Sequence, residues 1–275
     1  MNTLKNRIAV SAIMGLILCN SHFAFASGQG KIKGKSAKSD KYIEISESGS
    51  PIYRHKEKEH EWRAPKHATQ FLEEISAHIE KHIGQIETVY HETVSDLVHI
   101  DIHLIPATRQ CPYHVLVTSG VSDEPMTVPD GMGKFRRAEL LIALPKDWLL
   151  TEESFRNEAN YWPLRWLKQV GRLPHEYETW IGWGHTIPNG DPPEAIADTD
   201  FVGAMVTLPY ILPPDVFQLT TKSGEVISFY MLVPLYKEEL DLKLKKGAEE
   251  LERRFEKENI NLVLDTKRPN VAKKK

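Results

Sequence analysis

The spacing of apolar residues changes several times along the chain, and each change marks an element. Phe71, Ile75, Ile79 and Ile83 recur every four residues and stop at Gly84, which predicts a helix with one buried stripe and a charged outer face. The period then drops to two. Ile86, Val89 and Val94 predict an irregular strand, and Val98, Ile100, Ile102 and Leu104 alternate with His99, Asp101 and His103, which predicts a strand with one wet face. Tyr113 to Ser119 and Ala138 to Leu144 are apolar runs bounded by Gly, Pro and Asp, as expected of more buried strands. Thr151, with Ser154 following, is placed to cap a short helix.

The stretch from Asn160 to Pro188 holds four of the six tryptophans. Trp162, Trp166 and Val170 lie four apart behind Pro163, and Gly171 and Pro174 are expected to stop the run, giving a short helix with an aromatic inner face. Pro174 then opens a second short helix carrying Tyr177 and Trp180. Gly182, Gly184 and Pro188 force an irregular loop around Trp183 and His185. Strands follow at Phe201 to Leu208, Val216 to Leu219 and Val226 to Leu235, with a tight turn at Lys222-Ser223-Gly224. Pro234 implies an edge or a bulge. Leu240, Leu244, Leu251 and Phe255 mark a closing amphipathic helix that Gly247 bends or interrupts, and Asn261 to Leu264 suits a last short strand. Runs of strands separated by clustered helices predict an α+β fold, a mixed β-sheet with clustered helices in a single domain over residues 43–275, short basic C-terminal tail included.

Charge and the N-terminus add what periodicity cannot. The formal net charge is -3, yet residues 42–265 carry 23 Lys and Arg against 37 Asp and Glu. An acidic body excludes a nucleic-acid-binding face and suits either plain solubility or a basic protein partner. Lys5 and Arg7 precede an apolar run from Ile8 to Cys19, and Ala24-Phe25-Ala26 supplies small residues for cleavage after Ala26. Residues 1–26 therefore read as a signal peptide and 27–42 as a flexible basic linker, which places the mature chain in the periplasm or outside the cell with no stable membrane insertion. Leu18 stands before Cys19 where lipid attachment favours a small residue, so plain export is preferred. Cys111 is then the one remaining cysteine, and the mature chain has no internal disulfide.

Candidate chemistry is sparse. His99, Asp101 and His103 have ligand types that could hold zinc in a periplasmic metal-dependent enzyme, but their spacing is also that of any strand, and no metal is expected. Cys111 and His114 have no reason to face each other as nucleophile and base. No nucleophile elbow, phosphate loop, dinucleotide fingerprint or zinc-protease motif is present. No catalytic residue and no cofactor are expected. Trp180, Trp183 and His185, on a Gly-rich loop, remain as candidate protein-binding residues, of the types that anchor interfaces and equally of those that pin a loop to a core.

Five blocks carry a resemblance. Leu116 to Asp123 with Pro125-Met126, Ala138 to Pro145 with Trp148, Tyr161-Trp-Pro-Leu, Gly184 to Pro188, and Leu232 to Leu240 occur in the order seen in the suppressor of fused domain. The chain resembles that family from about Phe71 to Val271, with Arg268-Pro-Asn-Val271 as the closing match. The resemblance implies an α+β binding domain without enzymatic activity. The family's animal namesake grips a short peptide as an added strand, and bacterial relatives resemble immunity proteins that neutralise a toxin by binding it. The resemblance does not assign contact residues. The export signal departs from relatives that work in the cytosol and moves the expected partner, a protein such as a toxin with a basic surface, to the periplasm or beyond.

Overall fold

The continuous apolar runs form the middle of one eight-stranded sheet in the computed structural model, which describes residues 42–55 and 61–273. The expected signal peptide, nearly all of the linker and the last two lysines lie outside the described residues. The strands are β1 (Tyr42–Ile45), β2 (Pro51–Arg54), β3 (Thr88–Tyr90), β4 (Asp101–Ile105), β5 (Tyr113–Ser119), β6 (Ala138–Pro145), β7 (Thr186–Pro188), β8 (Phe201–Thr207), β9 (Gln218–Thr220) and β10 (Val226–Tyr236). β1 and β2 form a separate antiparallel hairpin. The main sheet runs β3-β4-β5-β6-β10-β8-β7, with β9 beside the start of β10. Every neighbouring pair is antiparallel except β6 and β10, which lie parallel with Tyr230 opposite Leu140. The fold is α+β and the described residues build a single domain, as the order of elements predicts.

Nearly every residue of β4, β6 and β10 is buried, so both faces of the sheet are covered. This corrects the wet face expected at His99, Asp101 and His103. Regular pairing starts only at Asp101, and Asp101 and His103 are buried. The alternating polar residues mark internal hydrogen bonds there, not solvent.

Among the described residues there are four α-helices: α1 (Leu72–His82), α2 (Glu158–Glu176), α3 (Lys237–Lys246) and α4 (Ala248–Lys257). α1 buries Ile75 and Ile79 on the predicted stripe. α2, capped by the Asn157 side chain on the Ala159 N–H (3.0 Å), buries Trp162, Trp166, Leu167 and Val170. It does not stop at Gly171. An added Cβ there would lie 2.7 Å from Val121 Cγ2 and 3.2 Å from Ile100 Cδ1, so this glycine is a notch for close packing. Pro174 falls two residues before the helix end, and Glu178 at φ 49° prevents the second helix expected through Trp180. Thr151 bonds the Ser154 N–H as expected, but only a 3-10 turn follows. Gly247, at φ 90°, separates α3 from α4. Pro234 sits in a central strand, where β6 no longer pairs with β10, and the bulge follows at Leu235/Tyr236. Asn261 to Leu264 contributes one bridge, Val263 to Ala143, beside β6 where β10 has left it.

Two buried polar networks join these layers. Glu139, the second residue of β6 and 0% exposed, accepts bonds from Thr118 Oγ1 (2.6 Å), Ser122 Oγ (2.6 Å), and the N–H groups of Gly120 and Ser122 (both 3.0 Å). Burial pushes its carboxyl up to about 7 even against those donors. Gly120 has φ 101°, and a Cβ would stand 1.9 Å from the His99 carbonyl oxygen, so only glycine fits the turn. At the other end of the sheet, Arg268 binds both oxygens of Glu239 (2.7 and 2.5 Å) and the Pro234 carbonyl (2.8 Å). Its guanidinium lies over the rings of Phe201, Tyr236 and Phe255, 4.9–5.2 Å from their centroids.

These networks predict a graded response to substitution. Arg268→Leu leaves Glu239 buried and uncompensated and should cost about 3–5 kcal/mol in urea unfolding. Glu139→Ala strands several donors and should cost at least about 3 kcal/mol. Asp241→Ala, which removes only the exposed Lys237–Asp241 pair, should cost less than about 0.5 kcal/mol. Equal losses in all three would contradict the assignment.

Candidate protein-binding surface

The aromatic loop after α2 leads directly into an edge of the sheet. Thr179 is fixed by the Pro174 carbonyl behind it (2.9 Å) and by the Thr127 N–H (3.0 Å), and Ile181 enters the core with its N–H on Met126 Sδ (3.5 Å). Trp180 and His185 meet edge to face at 4.3 Å. Gly182 passes beneath the indole, where an added Cβ would be 2.8 Å from Trp180 Cζ3. Trp183 turns toward α4 and donates its indole N–H to Glu252 Oε1 (3.0 Å), which also accepts from Thr207 of β8. Structure thus brings Trp180 and His185 together, while Trp183 braces the same loop on the neighbouring helix. All three are half-buried.

The chain then pairs with β8 through β7, extended by bonds from Gly184 N–H to Val206 and from Asn189 N–H to Val202 (both 2.8 Å). β7 is the last strand on this side of the sheet, and a three-residue Thr-Ile-Pro strand was invisible to periodicity. The segment after it carries Asp191, Glu194, Asp198 and Asp200, all exposed, with no Lys or Arg among residues 189–200. The β1–β2 hairpin reaches this surface through Arg54 to Asp191, the His55 ring over Tyr177 (4.8 Å) and the Ser48 N–H to the Leu244 carbonyl (3.0 Å).

The His99, Asp101 and His103 set resolves into pairwise contacts. Asp101 accepts from the Glu92 N–H (2.9 Å) and pairs with His91 Nδ1 (2.9 Å) and His99 Nε2 (3.0 Å). Burial pushes its carboxyl up, but these partners outweigh it and hold it below the ordinary value. His99 Nδ1 meets Ser95 Oγ (2.7 Å), and His103 Nε2 meets Ser119 Oγ (2.9 Å). Burial lowers the pKa of His103, with Asp101 opposing. Among the described residues no three His, Cys, Asp or Glu side chains are grouped to hold a metal ion. No described helix is long and apolar enough to cross a membrane.

Sequence reasoning missed two surface features. Trp62 is 62% exposed and Val94 75% exposed, and the Trp62 indole donates to the Ser95 carbonyl (3.0 Å), which holds the ring in place on the surface. Nearby, Arg63, Lys66, Glu124, His175 and Glu178 line a shallow cleft of about 170 Å³. Trp62 stands alone among charged residues, so no spacing rule singles it out.

Residues 96–269 match the protein family described as Suppressor of fused protein (SUFU), a span that contains all five blocks and begins later than the stretch from about Phe71 over which the sequence resembles the family. No curated protein matches the chain. Among solved structures, a suppressor of fused homolog of Neisseria gonorrhoeae is similar at 17% identity and TM-score 0.53, over 76% of this chain and 100% of that one. A Sufu–Fu complex is similar at 14% identity and TM-score 0.51, over 76% and 93%. At these identities the structures speak for the fold.

The loop has a pH signature. Burial, with Lys243 adding to it, drives His185 down to about 4 although the Trp180 backbone bond pulls it up, and burial drives His175 to about 4 as well. Between the ordinary 6.5 and 4, the unfolded chain binds protons that the folded one refuses. Each histidine therefore contributes stability above 6.5 that is lost as pH falls toward 4. Glu139 works in the opposite sense, favouring the fold as pH drops from about 7. His185→Phe keeps the ring contact and should flatten the acid limb of a urea-midpoint profile by about 1–3 kcal/mol between pH 6.5 and 4. Superimposable wild-type and variant profiles would show that His185 is not a buried neutral imidazole.

Proposed function

The chain belongs to the suppressor of fused family, and from that premise we infer that it acts as an exported, immunity-like binding protein that neutralises a basic partner protein by occupying it. It is a non-enzymatic protein-interaction module of the suppressor of fused type. The finer reading places the contact on the Trp180–His185 loop and the adjoining end of the sheet. What carries it is the acidic run Asp191, Glu194, Asp198 and Asp200, exposed directly after edge strand β7. Edge strands offer unpaired backbone groups to an incoming strand, and a rim of one charge sign steers a partner of the other. Pro188 lacks an N–H and the register turns Ile187 toward β8, so such a strand would find its outward donor in β7 at Thr186. The leader ending at Ala26 supports a site of action beyond the cytosol.

The test uses the tagged chain expressed with its own leader. The mature protein should begin at Ser27, appear in the periplasm or medium, and capture one basic protein in near-equal amount. Reversing Glu194, Asp198 and Asp200 to lysine should weaken that complex at least about tenfold, and salt near 0.5 M should weaken the wild-type complex similarly. A cytosolic protein that keeps residues 1–26 would overturn export. A complex indifferent to the reversed charges would move the interface away from β7.

A further inference from the structure

The cleft of about 170 Å³ at the end of α2 contains acceptors that the fold leaves unused. Glu124 forms part of its wall, and Oε1 of that side chain is buried with no hydrogen-bond partner. A buried acceptor without a donor is costly, and the described residues supply none. His175, also in the wall, gives its Nε2 hydrogen to the Val121 carbonyl (3.1 Å), which leaves Nδ1 as a second acceptor. Burial takes the pKa of this imidazole to about 4 and so keeps it neutral. Two more wall residues hold uncommon backbone angles, Leu97 at φ 65° and Glu178 at φ 49°. Residues with side chains rarely adopt such angles, and those that do cluster at ligand sites. The exposed side of the cleft has the opposite charge. Arg63 is fixed there by its backbone, with its N–H on Asp96 Oδ1 (2.9 Å) and its carbonyl on the Leu97 N–H (2.9 Å). The side chains of Arg63 and Lys66 make no ion pair among the described residues.

We propose that this cleft binds a free α-amino acid with an aliphatic side chain. The ammonium of such a ligand has three donors for the Glu124 carboxylate and His175 Nδ1, and its carboxylate takes the fork of the Arg63 guanidinium, with Lys66 adding charge beside it. Its side chain lies against Ala64, Pro125 and Pro174. An α-amino acid carries both charges on one carbon, and a single cleft that offers an acid and a base recognises the two together. An ion of one sign would meet one partner and one repelling charge. The space is suitable, since about 170 Å³ corresponds to roughly six waters at about 30 Å³ each, enough for a ligand of leucine's size. Neither Glu124 nor Arg63 belongs to β7 or to the Trp180–His185 loop, so this site does not depend on the protein-binding surface described above.

The experiment is calorimetric titration of the mature chain, residues 27–275, with L-alanine, L-valine and L-leucine, and with L-leucinamide and N-acetyl-L-leucine. It is run near pH 6, where the free amino groups are charged and His175 is neutral. At least one of the three amino acids should bind one to one, with a dissociation constant in the millimolar range or below, as so small a ligand allows. Leucinamide lacks the carboxylate and N-acetyl-leucine lacks the ammonium, and each should bind at least about tenfold more weakly than leucine. Glu124→Gln and Arg63→Met should each weaken the amino acid at least about tenfold, and Lys245→Met, an exposed change on α3, should not. Glu124→Gln also separates binding from folding. Without ligand its urea midpoint should be no lower than that of the wild type, because the substitution removes an unpaired acid. A lower midpoint would make Glu124 a structural partner and overturn its role toward the ligand. Leucinamide or N-acetyl-leucine binding as tightly as leucine would overturn the recognition of both charges. No binding of any of the three amino acids, or binding that both substitutions leave unchanged, would overturn the site. Capture of a basic partner protein is a separate observation, and either result here leaves it standing.

Discussion

Glu139 is the point from which the positions of the other elements follow. Its carboxylate sits inside the central strand β6, and the donors that satisfy it come from β5 and from the turn that ends β5. Fixing that turn fixes Val121, which fills the notch at Gly171 and so sets how closely α2 lies on the sheet. It also fixes Asp123, whose carboxylate accepts the Phe71 N–H at the start of α1 (3.3 Å). Arg137, two residues before Glu139, binds the carbonyls of Ser122 and Asp123 (2.6 and 3.0 Å). A buried acid is costly unless its bonds are complete, and completing them here locks two helices and two strands into one arrangement.

The second network explains why sequence blocks so far apart identify the family. Tyr236 and Glu239 belong to the block that ends β10, and Arg268 and Val271 to the closing match. They meet through the Glu239–Arg268 pair and the Tyr236 hydroxyl on the Arg268 carbonyl (2.7 Å). Leu116 to Asp123 and Ala138 to Pro145 meet in the same way through Glu139. The motifs that reveal kinship are thus largely the polar fasteners of the fold. Surface features such as the acidic run after β7 take no part in either network.

Much of this was legible because burial writes simple patterns. The run from Tyr113 to Ser119 is the strand it looks like, and the four-residue stripe of α1 is buried as read. The failures share a cause: tertiary partners supplied what local rules assumed was missing. Asp101 and His103 alternate like wet residues because they face hydrogen-bond partners inside. Gly171 resembles a helix stop because a close neighbour needs the same absence of side chain. Trp180 and His185 could be suspected from aromatic residues among glycines, but their pairing required the turn at Gly182. The burial of Lys243 was unreadable, since on an amphipathic helix a lysine near Leu240 and Leu244 looks like an outward residue.

The parallel pairing of β6 with β10 carries a consequence for the order in which the chain assembles. β3 to β6 form a meander of near neighbours that can close early, but the strand completing the middle of the sheet arrives only after residues 146–225. Until then the open side of β6 presents an apolar backbone edge that any other unfinished chain could join. Sheets that depend on such distant partners assemble slowly. This sequence therefore spends its nascent period with its most adhesive surface uncovered, and a holding factor that masks β6 would govern its yield more than any contact visible in the finished domain.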